Sequence, residues 1–311
     1  MRLPLGRDCR DLGMGISRRR LLVGAGVSSV VAVSAQVPLN AADDDFRVTK
    51  GRIKQSVMGW CFKSAPDPVD AETLVKWVKE IGMAGIEGVP RMVYPKVRAT
   101  GLGVSLVGSH GFKTGPCVPR HHAMCQAKLT EAIDVAVAVG CPSVITFTGF
   151  GEKGIAPEQG AKHCVNFWKS MMGYAEKREV NLVLEHLNTR DDSHPMKGHP
   201  GYFGDDVDHC AELVRLVGSP RMKLLFDVYH VQIMNGDVIR RIRQYKDIIG
   251  HYHTAGNPGR AELDDSQEIN YPAVMRAILE TGYKGYVAQE FIPTWKDKKA
   301  ALRHAARVCD V

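Results

Sequence analysis

Between residues 53 and 308, short apolar runs alternate with longer stretches whose apolar residues recur at helical spacing. The runs read as strands and the periodic stretches as amphipathic helices. The pattern predicts strands near 53–59, 84–88, 103–109, 143–148, 181–186, 222–227, 248–253 and 285–290. It predicts helices near 68–81, 91–100, 120–139, 157–178, 206–217, 237–245, 271–281 and 295–308. Leu182-Val183-Leu184 and Leu224-Leu225-Phe226 are apolar at every position, as parallel strands covered on both faces are. One helix shows how a boundary is written: Leu129, Ile133, Ala136 and Val137 keep helical spacing, and Gly140 stops it. Eight strands, each followed by a helix, match the count of a single-domain (β/α)8 barrel over residues 43–311. A doubly wound sheet is the alternative, but no Gly-x-Gly-x-x-Gly follows the first strand.

The N-terminus breaks this rhythm. Ser17-Arg18-Arg19-Arg20-Leu21-Leu22 is followed by an uncharged run of small and apolar residues from Val23 to Ala35. Val33-Ser34-Ala35 and Asn40-Ala41-Ala42 are small-residue cleavage candidates. The stretch is similar to a twin-arginine export signal, which implies a periplasmic protein with no stable membrane insertion once residues 1–42 are removed. The run is short for a membrane span and holds Gly24, Gly26, Ser28 and Ser29.

Charge adds little. The net +7 includes six arginines against two aspartates in the first 35 residues, so about +3 remains for the rest and no nucleic-acid partner is implied. The basic cluster Arg240-Arg241-Ile242-Arg243 lies in a helical pattern and reads as a solvated face. Seven cysteines follow the signal at irregular spacing, without a Cys-x-x-Cys pair; this predicts free, buried thiols rather than a disulfide framework.

The chemistry gathers at four predicted strand ends: Glu185, Asp227, His253 and Glu290. In a parallel barrel, those ends open on one face. Three carboxylates and one imidazole suit a hard or borderline divalent ion, Mn²⁺ or Mg²⁺, with Co²⁺ also compatible. Such an ion beside a hydroxy-ketone acidifies the carbon-bound proton between the two oxygens, and Glu185 and Glu290 are the candidates to move it. Glu87 and His110 close the second and third strands and are further candidates to touch substrate. Trp60 closes the first strand and suits sugar stacking or core packing. Two long loops, Leu187 to Gly204 and Thr254 to Asn270, follow strands and belong on the same face; the first carries Lys197 and His199 as candidate substrate contacts. His121-His122 reads as solvent-facing.

Further strings carry a resemblance. They are Glu185-His186-Leu187-Asn188, His199-Pro200-Gly201-Tyr202-Phe203, Asp227-Val228-Tyr229-His230-Val231-Gln232, Gly250-His251-Tyr252-His253, Pro258-Gly259-Arg260-Ala261-Glu262, Glu268-Ile269-Asn270-Tyr271 and Gly282-Tyr283-Lys284-Gly285-Tyr286 with Glu290-Phe291. In this order, from about 52 to 308, the chain resembles the hydroxypyruvate isomerase branch of the xylose isomerase-like TIM barrels. The resemblance implies Glu185 and Glu290 as acid/base pair, Asp227 and His253 as companion metal ligands, His230 and Arg260 as substrate contacts, and Glu262 as a neighbour of the site. It implies a small keto acid or sugar as substrate and leaves room for a homo-oligomer. At two positions the chain departs from that branch: His253 stands where the pattern has glutamine, and Ala261 where it has histidine. His-Tyr-His is more similar to the metal-binding strand of ketose 3-epimerases. The expected reaction is therefore isomerisation or epimerisation. Ketose 3-epimerase and keto-sugar or inosose dehydratase are the alternatives, and a non-catalytic sugar-binding barrel is another. An endonuclease IV-like activity fits less well with one ligand set and a modest charge.

Overall fold

A computed structural model describes residues 45–311; the proposed export signal lies outside the described residues. Eight strands form one parallel sheet: β1 (Lys54–Met58), β2 (Gly85–Glu87), β3 (Gly103–Val104), β4 (Ser143–Thr146), β5 (Asn181–Glu185), β6 (Met222–Asp227), β7 (Ile249–Thr254) and β8 (Tyr286–Gln289). Their order, β3-β2-β1-β8-β7-β6-β5-β4, leaves β3 and β4 to meet. They meet just past β3, where Val107 pairs in parallel with Val144, its amide donating to Ser143 O at 3.0 Å and its carbonyl accepting from Ile145 N at 3.1 Å. The barrel therefore closes, and the expected (β/α)8 architecture is the one observed.

Among the described residues ten α-helices wrap the strands: α1 (Gly59–Ser64), α2 (Ala71–Ile81), α3 (Tyr94–Ala99), α4 (His122–Val139), α5 (Pro157–Lys177), α6 (Val207–Val217), α7 (Val228–Met234), α8 (Val238–Gln244), α9 (Tyr271–Glu280) and α10 (Lys298–Cys309). Helix starts follow capping chemistry. Asp70 caps α2, Asp206 caps α6 and Asp297 caps α10, each carboxylate accepting from amides of the first turn. Gly140 ends α4 with φ 66°, a left-handed conformation that suits glycine.

Strand alternation sorts side chains into two compartments. Leu182, Leu184, Leu224, Phe226 and Tyr252 join the large core between sheet and helices. Val183 and Leu225 turn into the barrel and join a second cluster with Leu106, Ile145 and Phe147. Glu185 and Asp227 lie two residues beyond Val183 and Leu225, so they too point into the barrel, at its C-terminal mouth. All seven described cysteines are free and buried, as the spacing predicts. The Arg240, Arg241 and Arg243 side chains are ion-paired to Asp237, Asp208 and Glu280. No helix among the described residues is long and apolar enough to cross a membrane.

Two local expectations are corrected. Trp60 is not on a strand: β1 ends at Met58, and Trp60 sits in the short helix α1. His122 is only half-buried rather than solvent-facing, with Nε2 2.9 Å from Pro116 O and its ring 5.0 Å from that of Phe167.

Candidate active site

The four strand ends converge. Glu185, Asp227, His253 and Glu290 place one donor atom each within 4.8 Å of the others, and all four are buried. Each arrives by a local rule. Asp227 ends β6 and also caps α7: Oδ1 accepts from Tyr229 N at 2.8 Å, which leaves Oδ2 for the site. His253 lies two residues beyond His251, so both imidazoles face inward from β7. Glu290 follows β8, its amide held by Thr254 O at 2.8 Å.

His253 is the hub. Its Nε2 meets Glu87 Oε1 at 2.8 Å, while Nδ1 faces Glu290 Oε2 at 2.7 Å and Glu185 Oε1 at 3.1 Å. Glu87 also accepts from Ser105 Oγ at 2.6 Å and lies 3.0 Å from His251 Nε2. Burial alone would raise the Glu87 carboxyl; the charges of and hydrogen bonds from His251 and His253 overcome it and hold the group far below the usual carboxylate range. With carboxylates at both ring nitrogens, both carry protons; were an ion to replace the Nδ1 proton, the carboxylate at Nε2 would keep the remaining proton there and leave the Nδ1 lone pair as a ligand. Glu87, expected at the substrate, thus has both oxygens engaged by His253, His251 and Ser105, although it also borders the cavity.

Arg260 covers the cluster. Its Nη2 lies 2.6 Å from Glu290 Oε2 and 3.4 Å from Asp227 Oδ2, and Nη1 donates to Met196 O at 2.7 Å. The guanidinium is 5.3 Å from the Trp60 ring and 5.5 Å from that of Tyr229. Trp60 Nε1 donates to Glu290 Oε1 at 3.3 Å, so Trp60 reaches the site from its helix. Glu262, two residues on, turns away: it accepts from Thr294 N at 2.6 Å and Trp295 N at 2.9 Å, tying this loop to the segment after β8.

Counting Glu87, four buried carboxylates face the Arg260 guanidinium and a protonated His253 ring, an excess of two negative charges when all are ionised. The titration pattern reflects that excess. Burial, reinforced by the Glu290 charge, raises Glu185; burial pushes Asp227 up to about 7 although Arg260 opposes it. Burial would raise Glu290 as well, but Arg260 and His253 hold it well below the usual range. His253 would lose its proton on burial, yet Glu290, Glu185 and Glu87 hold it protonated. A divalent cation would supply the missing charge. The donor set fits one: hard oxygens, one oriented imidazole, and a buried Glu290 Oε2 without a well-aligned hydrogen bond.

The remaining candidates surround this centre. His230 Nδ1 accepts from Asn188 N at 3.1 Å, which places its proton on Nε2; that nitrogen is buried without a hydrogen-bond partner, 3.5 Å from Asp227 Oδ2. It is an oriented donor facing the Asp227 oxygen that α7 leaves free. His199 lines the cavity with its ring 4.3 Å from that of Phe112, and burial followed by the Arg260 charge lowers it to about 4. Its loop depends on Gly198, where a Cβ would lie 1.9 Å from Asp191 O. His110 lines the cavity too, but both ring nitrogens have internal partners, Thr114 O at 3.0 Å and Thr146 Oγ1 at 3.0 Å. Lys197 contributes its backbone: its carbonyl accepts from Asn188 Nδ2 at 2.7 Å. The cavity between these groups holds about 240 Å³.

Sequence reasoning missed three residues. His251 was legible from its spacing of two before His253. Asn188, which orients His230 and latches the 187–204 loop, carries no signal beyond its place after a strand end. Ser105 reaches Glu87 from irregular chain just past β3.

A model of the xylose isomerase-like TIM barrel family matches residues 75–310. The chain belongs to that family. Among curated relatives, a putative hydroxypyruvate isomerase from Homo sapiens is 28% identical over 236 residues, covering 70% of this chain and 83% of the relative. A 2-oxo-tetronate isomerase from Cupriavidus necator is 35% identical over 180 residues, covering 57% of this chain and 65% of the relative. Among solved structures, an AP endonuclease, family 2, from Brucella melitensis superposes with TM-score 0.70 at 21% identity, covering 81% of this chain and 96% of that one. A 3-keto-D-glucoside 4-epimerase from E. coli gives 0.68 at 16%, covering 83% and 100%. The IolI protein, solved with a zinc atom, gives 0.60 at 14%, covering 83% and 95%. At these identities the structures speak to the fold. The sequence relatives mark the chain as an enzyme of the isomerase class.

Proposed function

We propose that this enzyme moves a proton at the carbon beside a ketone on a small hydroxy-ketone, a keto acid or sugar, and so isomerises or epimerises it. The observation that carries the reading is the meeting of Glu185, Asp227, His253 and Glu290 at the barrel mouth. These four would hold a divalent ion, Mn²⁺ or Mg²⁺ by the oxygen-rich donor set. When bound, the ion supplies positive charge beside the carbonyl oxygen, which lowers the cost of the negative charge that proton removal creates.

The residues divide the remaining work. Glu290, kept anionic by Arg260, suits proton removal; Glu185, whose carboxyl is raised by burial, suits proton return. His230 Nε2–H and Arg260 can donate to substrate oxygens. Glu87 holds the His253 ring, and the 187–204 and 254–270 loops restrict water. Glu185→Gln and Glu290→Gln should each abolish solvent-deuterium incorporation into a turned-over ketose while the circular dichroism spectrum is unchanged. Exchange retained in either variant removes that residue from the acid/base role.

Residues 1–42 are read as a twin-arginine signal that delivers the enzyme to the periplasm. The paired Arg18-Arg19 and the uncharged run to Ala35 support this. Arg18→Lys/Arg19→Lys should block export of a fused reporter, and continued export would oppose the assignment.

A further inference from the structure

The cavity above the four strand ends has two unlike walls. One carries Glu87, Glu185, Glu290 and Arg260. The other, from the β3, β4 and β5 side, is apolar: Leu106, Ile145, Phe147 and Leu187 belong to the barrel's inner hydrophobic cluster, and half-buried Phe112 packs against it. Phe112 contacts the rings of Phe147 at 6.3 Å and His199 at 4.3 Å, so the wall is continuous with the polar end. Buried polar walls need partners and apolar walls need apolar cover. A ligand that fills this space is therefore itself two-sided.

No lysine or arginine side chain lines the far end among the described residues. Among the residues lining the cavity, Arg260 is the only lysine or arginine, and its guanidinium is engaged by Glu290, Asp227 and Met196 O. His110 has partners at both nitrogens. A carboxylate or phosphate placed against the apolar wall would lose its hydration without gaining a counter-charge, which is costly. Volume points the same way. At about 30 Å³ per water, 240 Å³ is room for roughly eight waters, more than a three-carbon keto acid displaces.

We propose that the substrate is an uncharged keto-sugar carrying an apolar substituent, an alkyl or aryl keto-glycoside. Its carbonyl-bearing ring lies toward Glu185 and Glu290, and its substituent lies against Leu106, Phe112, Ile145, Phe147 and Leu187. This inference rests on the proton-transfer reading of the same site and narrows its substrate class.

The test measures kcat/KM for solvent-deuterium incorporation by the metal-loaded enzyme with hydroxypyruvate, D-fructose, and the 3-keto derivatives of methyl and phenyl β-D-glucopyranoside. The phenyl keto-glycoside should exceed the methyl one by roughly tenfold, a ratio that contact with an apolar pocket supports. Hydroxypyruvate and D-fructose should fall below both. In Phe112→Ser and Phe147→Ala the phenyl preference should collapse toward the methyl value through KM. Phe112 is half-buried, so its variant remains informative if Phe147→Ala misfolds. Exchange of hydroxypyruvate or D-fructose at the rate of the phenyl compound overturns the substrate class and leaves the proton-transfer reading standing. A phenyl preference unchanged in a folded Phe112→Ser also overturns it. Exchange with no probe overturns both readings.

Discussion

Glu87→Gln isolates the tautomer argument. In the wild type, Glu87 Oε1 faces His253 Nε2 at 2.8 Å, and its other oxygen is held by Ser105 Oγ at 2.6 Å beside His251 Nε2 at 3.0 Å. Glutamine keeps the volume, so no cavity forms. It removes the negative charge that favours a proton on Nε2, and one amide orientation turns an NH₂ toward that nitrogen. The single proton of the neutral ring can then sit on Nδ1, the nitrogen facing Glu185 and Glu290, where it competes directly with a metal ion. Losing such an outer partner typically costs about 10–100-fold in metal affinity, or about 1.4–2.7 kcal/mol. Titration calorimetry of Mn²⁺ into chelator-treated protein measures this, with the urea midpoint of the same samples as the control for folding. Affinity within twofold of wild type would refute the account of Glu87. Loss of cooperative unfolding in the metal-free variant would instead make Glu87 a structural residue. Glu87→Ala is the poorer probe, because it strands three buried polar groups at about 1–3 kcal/mol each.

The Asp227 carboxyl, raised by burial from 3.8 to about 7, makes two pH predictions. A carboxyl raised on folding stabilises the fold fully below its unfolded value, and that contribution fades as pH rises through about 7. The stability of metal-free wild type relative to Asp227→Asn should therefore fall between pH 4 and 8, and a pH-independent difference in urea midpoints would oppose this. Mn²⁺ affinity should rise over the same window with proton release, measurable in weakly buffered indicator dye. For the scaffold, Phe226→Ala removes a fully buried ring between β6 and the helix layer and should cost about 3–5 kcal/mol in chemical unfolding; a loss below 1 kcal/mol would contradict the packing described.

Much of this was legible because parallel strands write themselves plainly. Apolar runs ending in a carboxylate located β5 and β6, and the shorter apolar stretches before His253 and Glu290 located β7 and β8, since a buried polar group at a strand end has little structural reason to be there. Elsewhere the signal was thinner. β3 is two residues long, and barrel closure depends on Val107 in irregular chain, which no periodicity marks. Helices α1 and α7 are under two turns each and hidden in the strand-to-loop transitions, so Trp60 reads as the end of a strand. His110 and Glu262 fit the expectation of residues at a site by position, but their partners, Thr146 and the Thr294–Trp295 amides, come from other elements. Pairing across strands is a tertiary property. The same holds for the Glu87–His253 contact, which joins β2 to β7 across 166 positions.

The central claim is that these four residues, with a divalent ion, move a carbon-bound proton. Solvent-deuterium incorporation into the ketose and keto-glycoside panel, compared between Mn²⁺-loaded and chelator-treated wild type, tests it most directly. The account predicts exchange into at least one compound by the loaded enzyme, lost on chelation and restored by adding the ion back. Exchange that persists undiminished after chelation, with metal content verified as nil, would contradict it.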